Sequence, residues 1–182
     1  MSHQWKIVLG VILLLGAGVA ALVAFGPEVE GATPGNRAPA YTAANLATGD
    51  SVALPTAYEG GVTLVNIWAT WCLPCRDEMP SMQELYAAYK DQGFRIAAVS
   101  IDDGDPAMVQ RFVRELGLTF DILHDRRTAI QQAYQTTGVP ESFLLDREGT
   151  IVKRVIGAVN WNSPENRALI ARLLGQESWR EA

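Results

Sequence analysis

The sequence predicts an α/β domain whose central sheet mixes parallel and antiparallel strands and is flanked by helices, preceded by one N-terminal transmembrane helix. Three observations predict it. "VTLVNIW" and "FRIAAVSI" are nearly continuous apolar runs on either side of an amphipathic stretch, the pattern of parallel strands buried on both faces and joined by a helix. "SFLLD", "REG" and "TIVKRVIG" read as an antiparallel hairpin added to the same sheet. Ahead of them, Ile7 to Phe25 is 19 residues without a charged or strongly polar side chain, which at about 1.5 Å per residue nearly spans a hydrocarbon layer of roughly 30 Å.

The chain then divides into four parts. Residues 1–6 form a short N-terminus and 7–25 an anchor, since the apolar region of a cleaved signal peptide is usually shorter, about 7 to 15 residues. Lys6 precedes the span whereas Glu28 and Glu30 follow it, which leaves the N-terminus in the cytoplasm and the rest outside. In a bacterial cell that is the periplasmic side of the inner membrane, where disulfides persist. Gly16, Ala20 and Ala24 recur at four-residue spacing and read as filler of the span rather than a pairing face. Residues 26–39, rich in Gly, Pro and small side chains, read as a flexible tether. The folded domain is predicted over 40–182.

Within that domain "YTAANLATGDSVAL" reads as an extra hairpin turning at "TGD", and Val62 to Trp68 as the central buried strand. Met79, Met82, Leu85, Tyr86 and Tyr89 recur at three- and four-residue intervals on a helix closed by Gly93. Phe94 to Ile101 is the second buried strand. Asp105 caps the next helix, Pro106 takes its first position, and Gly117 stops it. "FDIL" is a short strand, "RRTAIQQAYQ" a short helix, then comes the hairpin, and Ser163 with Pro164 opens a last helix through Leu174.

The formal net charge is −5 and the Lys and Arg residues are scattered, so no basic stripe points to nucleic acid. Chemistry concentrates in "NIWATWCLPC", which holds both cysteines of the chain, Cys72 and Cys75. A structural zinc site wants about four Cys or His ligands, and only His3 and His124 remain. A haem-attachment signature needs His after the second Cys, where Arg76 stands. The pair therefore reads as a redox dithiol. No cofactor and no metal is called for.

Their placement has a physical reason. Cys72 follows a buried strand and opens a helix, where unpaired N–H groups and the positive end of the dipole stabilise a thiolate. It is the predicted nucleophile. Cys75, one helical turn on, is placed to attack the mixed disulfide on Cys72 and release the reduced partner. Pro74 suits the first helical turn, where its missing N–H costs nothing.

"NIWATWCLPCRDEMP" and "TTGVPESFLLDREGTIVKRVIG" together resemble the membrane-anchored bacterial thiol-disulfide oxidoreductases of the TlpA, ResA and CcmG (DsbE) kind, over about Ala40 to the C-terminus. The resemblance implies a thioredoxin-like fold and reduction of protein disulfides outside the cytoplasmic membrane, often the Cys pair of apocytochrome c during cytochrome c maturation; the same dithiol would equally serve a copper-site assembly protein. It implies recharging by a membrane thiol transporter of the DsbD or CcdA kind. It also implies that Pro140 is the cis-proline beside the active-site disulfide, leaving the Val139 backbone free to pair with an extended substrate segment. Glu78 resembles the acid that handles the proton of the buried thiol in ResA-like proteins, although a carboxylate in a first helical turn also serves the helix dipole. Asn66 stands where cytoplasmic thioredoxins carry a buried Asp, so a proton acceptor has to come from elsewhere. Trp68 reads as core, and Trp71 as part of an apolar docking surface. Glu141 is either a counterpart of an acid in some cytochrome-maturation members or an exposed loop carboxylate without a role. His124 reads as a surface or strand-end residue.

Leu73 and Pro74 put neither charge nor donor between the cysteines, which predicts a reducing couple. The alternative is a metallochaperone or metal-site assembly module holding Cu(I) through the two thiolates, for which Met79 is the closest further sulfur. Peroxide reduction would want a lone peroxidatic Cys instead.

Overall fold

The computed structural model describes residues 31–175, together with helical positions 4, 5, 8, 10–16 and 18 near the N-terminus. The predicted anchor, 7–25, and the first part of the predicted tether therefore lie largely outside the described residues. Among the described residues no helix is long and apolar enough to cross a membrane.

Among those residues seven strands form one sheet in the order β2-β1-β5-β4-β3-β6-β7. They are β1 (Tyr41–Asn45), β2 (Ser51–Leu54), β3 (Val62–Trp68), β4 (Phe94–Ser100), β5 (Asp121–His124), β6 (Glu141–Leu145) and β7 (Ile151–Ile156). Strand β3 runs parallel to β4 and antiparallel to β6, and all seven of its residues are buried. Its missing alternation follows from that, because helices or other chain cover both faces. The predicted hairpins are both present, β1 with β2 and β6 with β7. At the first, the Asn45 side chain accepts the N–H groups of Ala47 and Thr48 and turns the chain.

The crossovers from β3 to β4 and from β4 to β5 are α1 (Leu73–Tyr89) and α2 (Pro106–Glu115). Both connections step the same way along a parallel sheet, so right-handed crossing puts both helices on one face. Contacts agree: Phe112 of α2 lies against Trp68 with ring centroids 5.0 Å apart, and Asn66, two residues before Trp68 on β3, touches Glu78 of α1. The last helix, α4 (Pro164–Leu173), joins them, with the Arg167 guanidinium over the Tyr89 ring at 5.2 Å. Alternate β3 residues face the other way, where Val65 is paired with Phe143 and the Phe143 ring meets Tyr134. That face carries α3 (Ala129–Ala133), shorter than the predicted "RRTAIQQAYQ" because Thr128 and Gln135 take left-handed φ values of 54° and 50° at its two ends.

Caps form as the residue types dictate. Asp105 accepts the Ala107 N–H at 2.9 Å and Ser163 the Asn166 N–H at 3.4 Å. Gly93, at φ 98°, ends the short 3-10 turn Lys90–Gln92 that follows α1.

The predicted tether, 26–39, differs where it is described. Ala32 and Ala38 are buried, and the segment lies along the start of β7 through Gly35 N–H to Ile151 O, Ile151 N–H to Asn36 O, and Ala38 N–H to Gly149 O. Arg37 adds an ion pair with Glu59. Packing against the sheet thus reaches back into the predicted tether at least as far as Ala32. Small residues without an apolar period look like linker, yet the same small side chains let a backbone pair closely along a sheet edge.

Candidate active site

Strand β3 ends at Trp68, whose carbonyl accepts the Ile101 N–H at 2.9 Å, and the chain turns through 69–71 into α1. That turn is clamped by Asp102, a buried carboxylate that sequence reasoning did not single out. It accepts the Thr70 N–H at 3.0 Å, the Thr70 hydroxyl at 2.6 Å and the Ser100 hydroxyl at 2.7 Å. In "SIDDGDP" it looks like one turn acid among three; only the β3–β4 pairing brings it to Thr70, 32 positions earlier. His124 ends β5 as read from the sequence, and is buried with Nε2 2.8 Å from the Asp102 carbonyl.

Cys72 is the N-cap of α1 and Cys75 lies within its first turn, joined to Cys72 as a disulfide with Cα atoms 5.3 Å apart. Cys75 N–H points at Cys72 Sγ at 3.2 Å, so the sulfur sits on the front-edge donors that favour a thiolate. The two thiols are unequal: Cys72 retains 5% exposure and Cys75 none. Around Cys72 the surface is apolar, with Trp71 and Leu73 65% and 75% exposed, whereas Trp68 is fully buried. Trp68 is thus core. Leu73, which in the sequence stands out only for its lack of charge, joins Trp71 in the same apolar surface beside Cys72.

Glu78 is placed one turn after Cys75, buried under the sheet. Its carboxylate accepts the Asn66 amide at 2.8 Å and the Val159 N–H at 3.2 Å, and Asn66 also donates to the Ser142 hydroxyl at 2.9 Å. Burial outweighs these donors and pushes the Glu78 pKa up to about 7 from an ordinary 4.5. The Trp161 indole lies close enough to offset this slightly, but its N–H finds no partner of hydrogen-bonding geometry, which leaves the carboxylate two donors. A cleft of about 450 Å³, lined by Asp77, Ser81, Glu84 and Asn160, reaches Glu78 from the surface. A carboxyl poised near neutral pH with an opening to solvent is equipped to exchange a proton.

Strand β6 brings the second motif to the same end of the sheet. Glu141 is paired with Ile67, so Pro140 comes opposite the end of β3, beside the turn that carries Cys72. The Val139–Pro140 peptide bond is cis, and Gly157 N–H fixes the Pro140 carbonyl at 2.9 Å. Neither the N–H nor the carbonyl of Val139 takes part in a hydrogen bond among the described residues. A second cis bond, Leu54–Pro55, has no signal in the sequence.

Glu141 is not an exposed loop carboxylate: it is fully buried, accepting Arg154 Nε at 2.6 Å and the Thr137 N–H at 3.0 Å. By strand alternation it faces opposite to Asn66 and Glu78, so two buried carboxyls flank the site, one per face of the sheet. Of the two, Glu141 alone has a cationic partner among the described residues. Among the described residues no three His, Cys, Asp or Glu side chains gather into a group that could hold a metal ion, and Met79 is fully buried in α1.

Comparison with known proteins agrees with this geometry. The chain matches the AhpC/TSA family over residues 34–154, a span that includes both cysteines, Glu78 and Pro140. It is 35% identical over 164 residues to the thiol-disulfide oxidoreductase ResA of Geobacillus thermodenitrificans, covering 87% of this chain and 92% of that one. Its fold superposes on a thiol:disulfide interchange protein from Bacteroides sp. with a TM-score of 0.69 at 25% identity, covering 82% and 95% of the two chains. StoA from Bacillus subtilis gives 0.58 at 25% identity, covering 79% and 98%. The chain belongs to the AhpC/TSA family and, with a thioredoxin-like fold around a Cys72–Cys75 disulfide, is a thiol-disulfide oxidoreductase similar to ResA.

Proposed function

We propose that this oxidoreductase works as a membrane-anchored, extracytoplasmic reductant of protein disulfides. The observation that carries the reading is the inequality of the two thiols, Cys72 at the front edge of α1 and Cys75 sealed behind it above Glu78. In the reduced protein the Cys72 thiolate attacks a substrate disulfide, forming a mixed disulfide and releasing one substrate thiolate. Cys75 gives its proton to the Glu78 carboxylate and attacks Cys72 Sγ. The Cys72–Cys75 disulfide closes, the second substrate thiolate leaves, and two electrons have passed to the substrate. Val139 offers its unpaired backbone to an extended segment of that substrate, held beside the sulfurs by Pro140, while Trp71 supplies apolar area.

The Cys pair of apocytochrome c fits such a site, and so does a copper-site assembly protein; the dithiol serves either. Recharging falls to a membrane dithiol carrier of the DsbD or CcdA kind. The anchor reading rests on the uncharged run over 7–25 and on Val11, Ile12, Leu13, Leu14 and Leu15, which are helical and exposed rather than packed on the domain. Retention of the full chain in carbonate-washed membranes, with the domain open to protease from the periplasmic side, supports that reading; release by the wash defeats it.

The direction of electron flow is tested by equilibrating the protein with glutathione. With Leu73 and Pro74 between the cysteines, a couple near the thioredoxin value of about −270 mV is expected, and half-oxidation near the DsbA value of about −120 mV would refute a reductant.

A further inference from the structure

Arg154 of β7 donates to three oxygens, one of them at the start of the loop that leads to Pro140. Its Nε donates to Glu141 at 2.6 Å, one terminal nitrogen to the Gln135 carbonyl at 2.9 Å, and the other to the Ala32 carbonyl at 3.3 Å. Its guanidinium also lies over the Phe143 ring at 5.3 Å. Glu141 in turn holds the Thr137 N–H at 3.0 Å. The chain from 135 to 140 is therefore gripped at its start through Gln135, at Thr137 through Glu141, and at its end by Gly157 on the Pro140 carbonyl. Between these grips the Gly138 and Val139 backbone groups make no hydrogen bond among the described residues.

The grip is physically demanding. Gln135 stands at φ 50°, a left-handed position that a residue with a side chain holds only when its surroundings fix it. Glu141 is fully buried, and a carboxylate there stays charged only beside a cation with further donors. A planar fork that reaches three oxygens at once meets both needs; a point charge on a lysine does not.

We propose that Arg154, acting through Glu141, is a positioning residue that keeps the 135–140 loop set for an extended polypeptide, and so favours polypeptide disulfides over small-molecule ones. A small disulfide needs only the sulfurs of Cys72 and Cys75. A polypeptide also needs the Val139 N–H and carbonyl in strand geometry. The proposal rests on the reading above that Val139 pairs with substrate.

The test is reduction by the full chain of three oxidants: a peptide disulfide, the same peptide N-methylated where it would pair with Val139, and an aromatic small-molecule disulfide. In the native protein methylation raises KM if Val139 pairs with substrate; no rise overturns that underlying reading and this proposal with it. Given that rise, Arg154→Lys is expected to raise KM for the unmethylated peptide by roughly tenfold or more, as small misplacements of a docking group do, and to leave its kcat and the small-disulfide rate within about twofold. An unchanged peptide KM, or an equal loss on peptide and small disulfide, overturns the positioning role while leaving the Val139 reading intact. Should Arg154→Lys not fold, the pair Glu141→Gln with Arg154→Gln removes both buried charges and is judged by the same split.

Discussion

Cys75→Ser protein, reduced and mixed with a peptide disulfide, is expected to stop halfway, with the substrate held on Cys72. The first step needs only the Cys72 thiolate, which the α1 front edge stabilises, whereas release needs a second sulfur one turn behind. Cys72→Ser is expected to lose exchange by about 10³-fold or more, the size of effect that follows removal of a nucleophile. Mass analysis of the quenched mixture reads both outcomes. A trapped species on Cys75 in the Cys72→Ser protein, at a rate equal to that of Cys75→Ser, would reverse the assigned order. The same Cys75→Ser trap in cell membranes identifies the physiological partner, because the species that accumulates is the substrate itself.

Glu78→Gln is expected to change both stability and rate, with opposite consequences on the two sides of neutrality. The folded protein holds the Glu78 proton up to about pH 7, whereas an unfolded chain releases it near 4.5. The folded state therefore binds more protons than the unfolded state between these values, and stability falls as pH rises through that window. The stabilisation is complete below about 4.5 and gone above about 7, a change on the order of 3 kcal/mol. The amide of the Glu78→Gln variant cannot titrate, so its denaturation midpoints should lose this slope and exceed the native ones above neutral pH. The rate moves the other way: without a carboxylate to take the Cys75 proton, closure of the Cys72–Cys75 disulfide should slow by about 10²-fold near pH 7.5 and lose its inflection near 7. Parallel pH profiles in stability and rate for the native protein and the Glu78→Gln variant would reduce Glu78 to an ordinary buried hydrogen-bond partner.

Most of the fold is legible in the sequence because local chemistry specifies it. The run Val62 to Trp68 has no polar alternation and forms a strand buried on both faces; Asp105 with Pro106, and Ser163 with Pro164, stand where helices begin. The Cys72–Cys75 pair is legible for the same reason, since three-residue spacing at a helix start is information carried by neighbours; Glu78 stands out only through the resemblance to ResA-like proteins. What stays hidden depends on partners far away in sequence. Asp102 matters because β4 delivers it to Thr70, and Glu141 because β7 delivers Arg154 across the pairing of Phe143 with Arg154. An acid in a turn and a basic residue on a half-buried strand look ordinary until the sheet is assembled. The segment before Tyr41 reads as a tether for a related reason: its close pairing with β7 is made by backbone groups, which leave no trace in side-chain periodicity.

The two flanking acids meet different partners. Glu78 and Glu141 are both buried, on opposite faces of one sheet end, and a cleft reaches Glu78. Arg154 neutralises Glu141, whereas Glu78 meets only neutral donors, Asn66 and the Val159 N–H. Burial beside neutral donors alone drives the Glu78 pKa up to about 7.

The most direct measurement is competitive alkylation of the reduced, folded protein across pH, with the modified cysteine read by mass. Cys72 should react first and remain reactive well below the ordinary thiol pKa of about 8.5, with Cys75 protected until the protein unfolds. Preferential modification of Cys75, or equal resistance of both sulfurs in the folded state, would contradict a reactive Cys72 thiolate at the head of α1.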